Sequence, residues 1–132
     1  MSDGKRLLIG GVVMALCLGT PRADAAELLM FEQKGCPYCA RFDAEIAPDY
    51  PDSRSGRIAP LRRVDIFDDR TGGYDEVQPA VFTPTFVLVD GAGREVGRLE
   101  GYPGRKYFYS EIEPMLERLP ASEKRQTTGR VP

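Results

Sequence analysis

The sequence has no histidine and only three cysteines, Cys17, Cys36 and Cys39. A protein zinc site is usually built from about four cysteine, histidine or carboxylate ligands. Because Cys17 lies inside a predicted export signal, only two cysteines remain for the mature protein. The sequence also has no nucleotide-binding signature and no internal repeat. These absences argue against a zinc site within one chain, a nucleotide-dependent enzyme and a repeat protein.

The first quarter of the chain lacks an apolar run long enough to span a membrane. The basic pair Lys5 and Arg6 precedes an apolar stretch at residues 7–19, whereas a membrane span needs about 20 apolar residues. Ala23 and Ala25 supply small residues at alternate positions, as signal peptidase requires. We therefore predict an exported protein with a signal peptide at residues 1–25 that is cleaved after Ala25; an uncleaved membrane anchor is the alternative.

The predicted mature chain lacks a strong charge of either sign. It keeps 15 of the 18 basic and 18 of the 20 acidic residues, a net charge of −3. Such a small and mixed charge does not favour nucleic acid or an anionic membrane surface as a partner. Its length suits one domain at residues 26–120, followed by a flexible polar tail at residues 121–132. Arg62 and Arg63 are expected to form a solvated strand edge.

The most specific feature of the sequence is Cys36-Pro37-Tyr38-Cys39, which follows the apolar run at residues 28–31. At the start of a helix, free N–H groups and a partial positive charge stabilise a thiolate and can lower a cysteine pKa below about 8.5. Two cysteines placed there are suited to thiol–disulfide exchange. An inert structural pair is the alternative, but a bridge that closes so small a loop restrains the unfolded chain little.

Apolar patterning predicts four strands and three helices. The strands are expected at residues 27–33, 61–67, 85–89 and 95–100, and the helices at residues 37–47, 73–81 and 105–119. Residues 49–60 should form a loop with room for a short helical turn, and residues 90–93 a hairpin turn. The order β-α-β-α-β-β-α predicts an α/β fold in which helices flank a central mixed sheet. The two cysteines fall at the first strand-to-helix junction.

The predicted order of elements is that of the minimal thioredoxin-like fold, and the Cys-Pro-Tyr-Cys segment resembles the motif of glutaredoxins. The predicted mature domain more closely resembles the periplasmic thioredoxin-like proteins encoded with bacterial sulfur-oxidation (Sox) genes. This resemblance rests on the blocks at residues 29–33, 35–42, 59–65 and 82–89. It implies thiol–disulfide exchange with protein substrates in the periplasm.

The resemblance implies separate roles for the residues of the dithiol motif. Cys36 would be the attacking thiolate, and Cys39 would be the thiol that resolves the mixed disulfide. Pro37 suits the first turn of a helix, where its missing N–H costs nothing. Tyr38 would shape the surroundings of the leaving group, although it could instead only cover the helix end.

Thr83-Pro84 is the second signature that the resemblance identifies. In thioredoxin-like folds the matching proline is cis and lies beside the dithiol, and the residue before it pairs with the substrate as an added strand. We therefore predict a cis bond, with a trans proline at a strand start as the alternative. Residues 101–104 should either rim the substrate groove or form only the turn into the last helix.

The sequence departs from the thioredoxin pattern at two positions. Many thioredoxins have a buried aspartate six residues before the first cysteine, and this chain has Met30 there. Thioredoxins also usually have a tryptophan just before the first cysteine, and this chain has Gly35 there. The missing aspartate puts fast deprotonation of Cys39 in doubt. Glu32, four residues before Cys36, is the predicted substitute as the proton acceptor.

Together these features predict a monomeric periplasmic thiol–disulfide oxidoreductase that acts through Cys36 and Cys39. The expected direction is reduction of a partner protein, and the Sox resemblance implies a sulfur-carrier protein with a reactive cysteine. Electrons would come from a membrane-borne donor, and no organic cofactor or metal is required. The alternatives are a disulfide donor or isomerase, a copper-binding module that uses the two cysteines, and an interaction domain with a vestigial dithiol.

Overall fold

The computed structural model describes residues 25–125. The predicted signal peptide before Ala25, with Cys17, lies outside the described residues, as do residues 126–132 of the predicted tail. Four strands form one sheet in the order β2-β1-β3-β4. The elements are β1 (Glu27–Glu32), α1 (Pro37–Glu45), a 3-10 turn (Tyr50–Asp52), α2 (Arg54–Ile58), β2 (Leu61–Asp65), β3 (Thr85–Val89), β4 (Glu95–Glu100), α3 (Arg105–Leu116) and α4 (Ala121–Lys124).

The sheet is mixed, as the sequence predicts, and its register fixes where the loops meet. β1 is parallel to β2 and antiparallel to β3, and β3 is antiparallel to β4. Thr85, the first residue of β3, lies opposite Phe31 on one side and Glu100 on the other. Glu32 lies opposite Asp65. The segments after β1, β2 and β4 and the segment before β3 therefore emerge at the same end of the sheet.

Both faces of the sheet are buried, which explains why the central strands read as continuous apolar runs. Leu28 and Met30 of β1 face the first core, which α1 and α3 cover. Leu29 and Phe31 face a second core that includes Val77 from the segment after β2. The alternation of side chains along each strand places neighbouring residues in different cores.

The prediction of a helix at residues 73–81 is wrong. Residues 66–84 form an irregular loop instead, and this loop covers the second core in the place of a helix. Asp69 turns the chain by accepting backbone N–H bonds from Thr71 and Gly72 at 2.8 and 3.0 Å. Gly72 and Gly73 have positive φ values of 66° and 83°, a conformation that ends a helix rather than continuing it. The order β-α-β-α-β-β-α therefore lacks its second helix, while the α/β architecture is confirmed.

Charged groups fix the loop to the sheet. Arg62 lies on the edge strand β2 with its side chain partly exposed, as predicted, and it also makes contacts that were not predicted. The Arg62 guanidinium pairs with the Glu27 carboxylate at 3.0 Å and donates to the Gly72 carbonyl at 2.7 Å. The Tyr74 hydroxyl donates to the same carboxylate of Glu27 at 2.5 Å. Strand β2 therefore holds the loop against β1 through Arg62.

The start of the predicted flexible tail forms the short helix α4. Glu123 of α4 accepts a hydrogen bond from the Gly91 backbone at 3.0 Å, and the Lys124 ammonium donates to the Glu117 carbonyl at 2.9 Å. These contacts tie α4 to the hairpin turn and to the end of α3. Between residues 25 and 125, no helix has the length and apolar character that a membrane crossing requires.

Candidate active site

The dithiol lies at the turn from β1 into α1, as the sequence predicts. Gly35 has a φ of +79°, and this left-handed conformation turns the chain from the strand into the helix. Cys36 is the N-cap of α1, and Pro37 occupies the first turn. The Cys36 Sγ accepts a hydrogen bond from the Cys39 backbone N–H at 3.2 Å. The helix start therefore directs an N–H donor at the sulfur of Cys36.

The two cysteines form a disulfide, and the sulfur atoms lie at the edge of the first core. Cys36 is 8% exposed and Cys39 is 4% exposed. Both belong to the core cluster that contains Phe42, one turn further along α1. Cys36 is thus the more accessible of the two, at the outer end of the helix, while Cys39 lies one turn inward.

The Thr83-Pro84 peptide bond is cis, which confirms the prediction. Pro84 is buried and Thr83 is half-buried. The Pro84 carbonyl accepts a hydrogen bond from the Gly101 backbone at 2.7 Å, and the Thr85 hydroxyl donates to the Phe82 carbonyl at 2.8 Å. The segment before β3 is therefore held on both sides of the cis bond.

A cleft with a volume of about 380 Å³ joins these segments at the end of the sheet. It is lined by Tyr38, Phe82, Thr83, Pro84, Gly101 and Tyr102. Tyr38 is exposed and lies between the two cysteines, so the cleft reaches the turn of α1 that bears the dithiol. Because Gly101 and Tyr102 line the cleft, residues 101–104 do more than turn the chain into the last helix.

The carboxylate of Glu32 lies at the end of β1 and pairs with Arg63 rather than standing alone. The Arg63 Nη1 is 2.6 Å from Glu32 Oε2, and its Nη2 is 2.6 Å from Asp43 Oδ1. The same Nη1 is 3.9 Å from the Sδ of the fully buried Met30. Arg63 lies exposed on the edge strand β2, as predicted, and its ion pairs also link β1 to α1. The role of Glu32 as a proton acceptor remains a prediction.

Glu45, which sequence reasoning missed, anchors one wall of the cleft. Its Oε2 accepts hydrogen bonds from the Tyr102 hydroxyl at 2.7 Å and from the Arg105 backbone at 3.2 Å, and its Oε1 lies 3.3 Å from Arg41. Burial and the bond to Glu45 raise the pKa of Tyr102 to about 12. The pKa of Glu45 lies below its usual range, mainly because its carboxylate accepts the hydrogen bond from the Tyr102 hydroxyl.

We expect Tyr102→Phe to raise the pKa of Glu45 toward the ordinary glutamate value of about 4.3. The lowered pKa stabilises the folded protein above the unfolded pKa, and this contribution is lost as the pH falls through the folded pKa. The variant should therefore lose less stability on acidification than the wild type. An NMR titration of the Glu45 carboxyl checks this, with the exposed Tyr107→Phe as control. An unchanged titration of Glu45 in Tyr102→Phe would contradict the assignment.

The contacts of Glu45 and the ion pairs of Arg63 were not predicted, because their partners are distant in sequence. Glu45 bonds to Tyr102, 57 positions away, and no local pattern connects the two. Arg63 had a usable signal, since parallel pairing of β1 with β2 sets it opposite Met30. Within residues 25–125, no group of three or more histidine, cysteine or acidic side chains is arranged to hold a metal ion.

Comparison with known proteins agrees with this geometry. The family model of the thioredoxin-like domain matches residues 22–116. The chain belongs to the thioredoxin-like family. The chain is also similar to the crystal structure of the reduced form of the periplasmic thioredoxin SoxS from Paracoccus pantotrophus, with a TM-score of 0.65 and 49% sequence identity. The match covers 70% of this chain and 97% of SoxS. No curated protein sequence matches the chain.

The family and the dithiol together define the chemistry. Thioredoxin-like proteins act on thiols and disulfides of other proteins, and this thioredoxin-like protein has its two cysteines joined at the start of α1. It is a thiol–disulfide oxidoreductase. The family and the class of reaction predicted from the sequence are therefore confirmed.

Proposed function

We propose that this protein is a periplasmic reductase of protein disulfides, with Cys36 as the attacking thiolate and Cys39 as the resolving thiol. The observation that carries the assignment of roles is the N-cap position of Cys36, whose Sγ accepts the Cys39 N–H bond. A donor at this atom stabilises the thiolate more than the thiol. Export to the periplasm is supported by the predicted signal peptide and by the similarity to SoxS, which is a periplasmic thioredoxin.

The reaction begins from the reduced dithiol. The Cys36 thiolate attacks one sulfur of the client disulfide, so a mixed disulfide forms and the other client sulfur leaves as a thiolate. Cys39 then loses its proton, and its thiolate attacks the Cys36 sulfur. The mixed disulfide breaks and the second client thiolate is released. The client gains two electrons, and the protein is left with the Cys36–Cys39 disulfide.

Four further residues assist this exchange in the proposal. Pro37 begins α1 at a position where a backbone N–H would have no partner within the helix. Tyr38 forms the wall of the cleft beside the cysteines. The backbone at Thr83, next to the cis Pro84, pairs with the client segment as an added strand. Glu32 accepts the proton of Cys39, and its ion pair with Arg63 keeps its carboxylate at the end of β1.

The proposed client is a sulfur-carrier protein with a reactive cysteine, which is kept active by this reduction. The 49% identity with the periplasmic thioredoxin SoxS supports this choice. The dithiol itself carries the two electrons, so no organic cofactor is required. Because the sequence has no nucleotide-binding signature, we propose that the electrons reach the oxidised protein from a membrane-borne donor. We propose that the protein works as a monomer.

The direction of the reaction is tested by the reduction potential. We expect mature protein in graded glutathione buffers to give a value near −270 mV, the thioredoxin end of the range for this fold. The fraction of bridged protein is read by thiol alkylation and mass spectrometry. A value near −120 mV, typical of disulfide donors, would reverse the direction and contradict the proposed reactivation of a carrier.

A further inference from the structure

Three large apolar side chains lie exposed at the end of the sheet that bears the dithiol. Phe67 is 82% exposed, Val81 is 66% exposed and Phe82 is 45% exposed. They belong to the loop at residues 66–84, whose other apolar side chains fill the second core. A group of exposed apolar side chains on a small protein marks an interaction surface more often than a packing need.

These side chains line a cavity of their own, which shares Phe82 with the active-site cleft. The cavity has a volume of ≈ 390 Å³ and is lined by Gln33, Ile66, Phe67, Arg70, Val81 and Phe82. Phe82 also lines the cleft that contains Tyr38 and Pro84. The register of the sheet explains why the cavity and the cleft are neighbours, because the segment after β2 and the segment before β3 lie at the same end of the sheet.

The backbone around this cavity is held in place, so the side chains are presented on a fixed frame. Arg70 and Ala80 are joined by two bonds of 2.7 Å, from the Ala80 N–H to the Arg70 carbonyl and from the Arg70 Nε to the Ala80 carbonyl. The Phe67 backbone donates to the Asp65 carboxylate at 2.9 Å. A surface that is ordered before binding loses less entropy when a partner docks.

Arg70 adds a charge to the apolar cavity. Its Nε is bound to the Ala80 carbonyl, and no carboxylate among residues 25–125 forms an ion pair with its guanidinium. The two Nη groups are therefore available to a carboxylate from outside, which a guanidinium binds in a planar fork. The cavity thus offers apolar contact on one side and a cation on the other.

We infer that Phe67, Val81, Phe82 and Arg70 form a second client subsite, which binds a large apolar side chain and a neighbouring carboxylate of the client protein. This inference rests on the proposed function, since the client segment that enters the cleft at Thr83 continues over Phe82 into the cavity. The apolar residue lies in the client chain a few positions from its reactive cysteine. The subsite gives this protein a preference among protein disulfides that the dithiol alone cannot give.

The test uses peptides that contain one cysteine and are joined as symmetrical disulfides. One peptide has only glycine around the cysteine, a series has leucine at one to four positions on either side, and further peptides add aspartate or asparagine beside the leucine. The second-order rate constant for oxidation of reduced protein is measured with each. We expect one position of leucine to raise it about tenfold, the size of effect that one buried apolar group gives, and aspartate to raise it above asparagine.

Phe67→Ser should abolish the leucine preference and leave the rate with hydroxyethyl disulfide unchanged, because this small compound needs only the dithiol. The matched control is Tyr107→Ser, which removes another exposed aromatic ring outside both cavities. Arg70→Gln should abolish the preference for aspartate over asparagine, and Arg70→Lys, which keeps the charge, should retain part of it.

The outcomes separate the subsite from the proposed function. If reduced wild-type protein fails to react with hydroxyethyl disulfide, the proposed reductase itself is wrong. If it reacts but shows no leucine preference, or if the preference survives both Phe67→Ser and Phe82→Ser, the subsite is overturned. Sedimentation of the wild type tests whether a second copy of this protein binds the surface instead. A dimer that Phe67→Ser dissociates would make this surface a contact between two copies and would also overturn the inference.

Discussion

Replacing Cys36 by serine is expected to abolish disulfide reduction, whereas replacing Cys39 by serine should stop the reaction after its first half. A serine hydroxyl at position 36 stays protonated near neutral pH and cannot attack a disulfide. Loss of the nucleophile from an enzyme that works by covalent catalysis can cost on the order of 10⁶ in kcat, so we expect at least a 10³-fold loss here. With Cys39→Ser, Cys36 still attacks and the mixed disulfide accumulates because no second thiol resolves it.

The two variants form a matched pair, since each removes one sulfur from the same turn of α1. The measurement is capture of a client or a model peptide disulfide, followed by non-reducing gel electrophoresis and mass spectrometry. The mixed disulfide should be found with Cys39→Ser and be absent with Cys36→Ser. The reverse result would exchange the two roles, and it would contradict the importance of the N–H bond that Cys36 Sγ accepts. Absence of any mixed disulfide from both variants would favour the vestigial dithiol.

Phe108→Ala is expected to destabilise the protein by about 3 to 5 kcal/mol, the usual cost of deleting a buried aromatic ring. Phe108 of α3 is fully buried at the centre of an aromatic cluster. Its ring centroid lies 5.2 Å from Phe42, 5.2 Å from Phe86, 5.4 Å from Tyr109, 6.1 Å from Tyr102 and 6.4 Å from Tyr50. Such tilted and edge-to-face pairs add stability beyond the area they bury. The cavity left by alanine cannot be filled without moving several of these rings.

Thermal unfolding measures this effect, and the Tm should fall by at least about 12 °C for a domain of this size. The neighbouring Tyr107→Ala is the control, because Tyr107 is 52% exposed. Its only ring interaction among the described residues is with Lys106, whose Nζ lies 5.3 Å from the ring centroid. This control should cost less than about 1 kcal/mol. If Phe108→Ala does not fold, Phe108→Leu should still fold with a smaller loss. Equal losses for Phe108→Ala and Tyr107→Ala would show that the cluster does not carry this stability.

The aromatic cluster also connects stability to the site. Phe42 follows the dithiol on α1, Phe86 follows Pro84 on β3, and Tyr102 lines the cleft. Phe108 contacts all three rings from α3. A change at Phe108 should therefore loosen the segments that surround the cysteines before the whole domain unfolds.

Local patterns were sufficient to predict most of the regular elements. Four strands and the helices that begin at Pro37 and Arg105 were predicted correctly, because each has a continuous or periodic apolar pattern bounded by glycine or proline. The helix at residues 73–81 was predicted wrongly. Its apolar residues Val77 and Ala80 do face the core, but contacts with Glu27 and Arg62 hold the chain in an irregular path that no local pattern encodes.

What the sequence determined by itself was the reaction and its centre. Two cysteines with a proline between them at a strand-to-helix junction specify thiol–disulfide exchange, because the chemistry depends on residues only three positions apart and on the helix that they begin. The tertiary structure alone decided what surrounds that centre. The cleft, the Glu45–Tyr102 bond, the Arg63 ion pairs and the apolar cavity at Phe67 each join residues from different strands, helices or loops. Such contacts depend on sheet order and register, which bring together segments that are tens of residues apart.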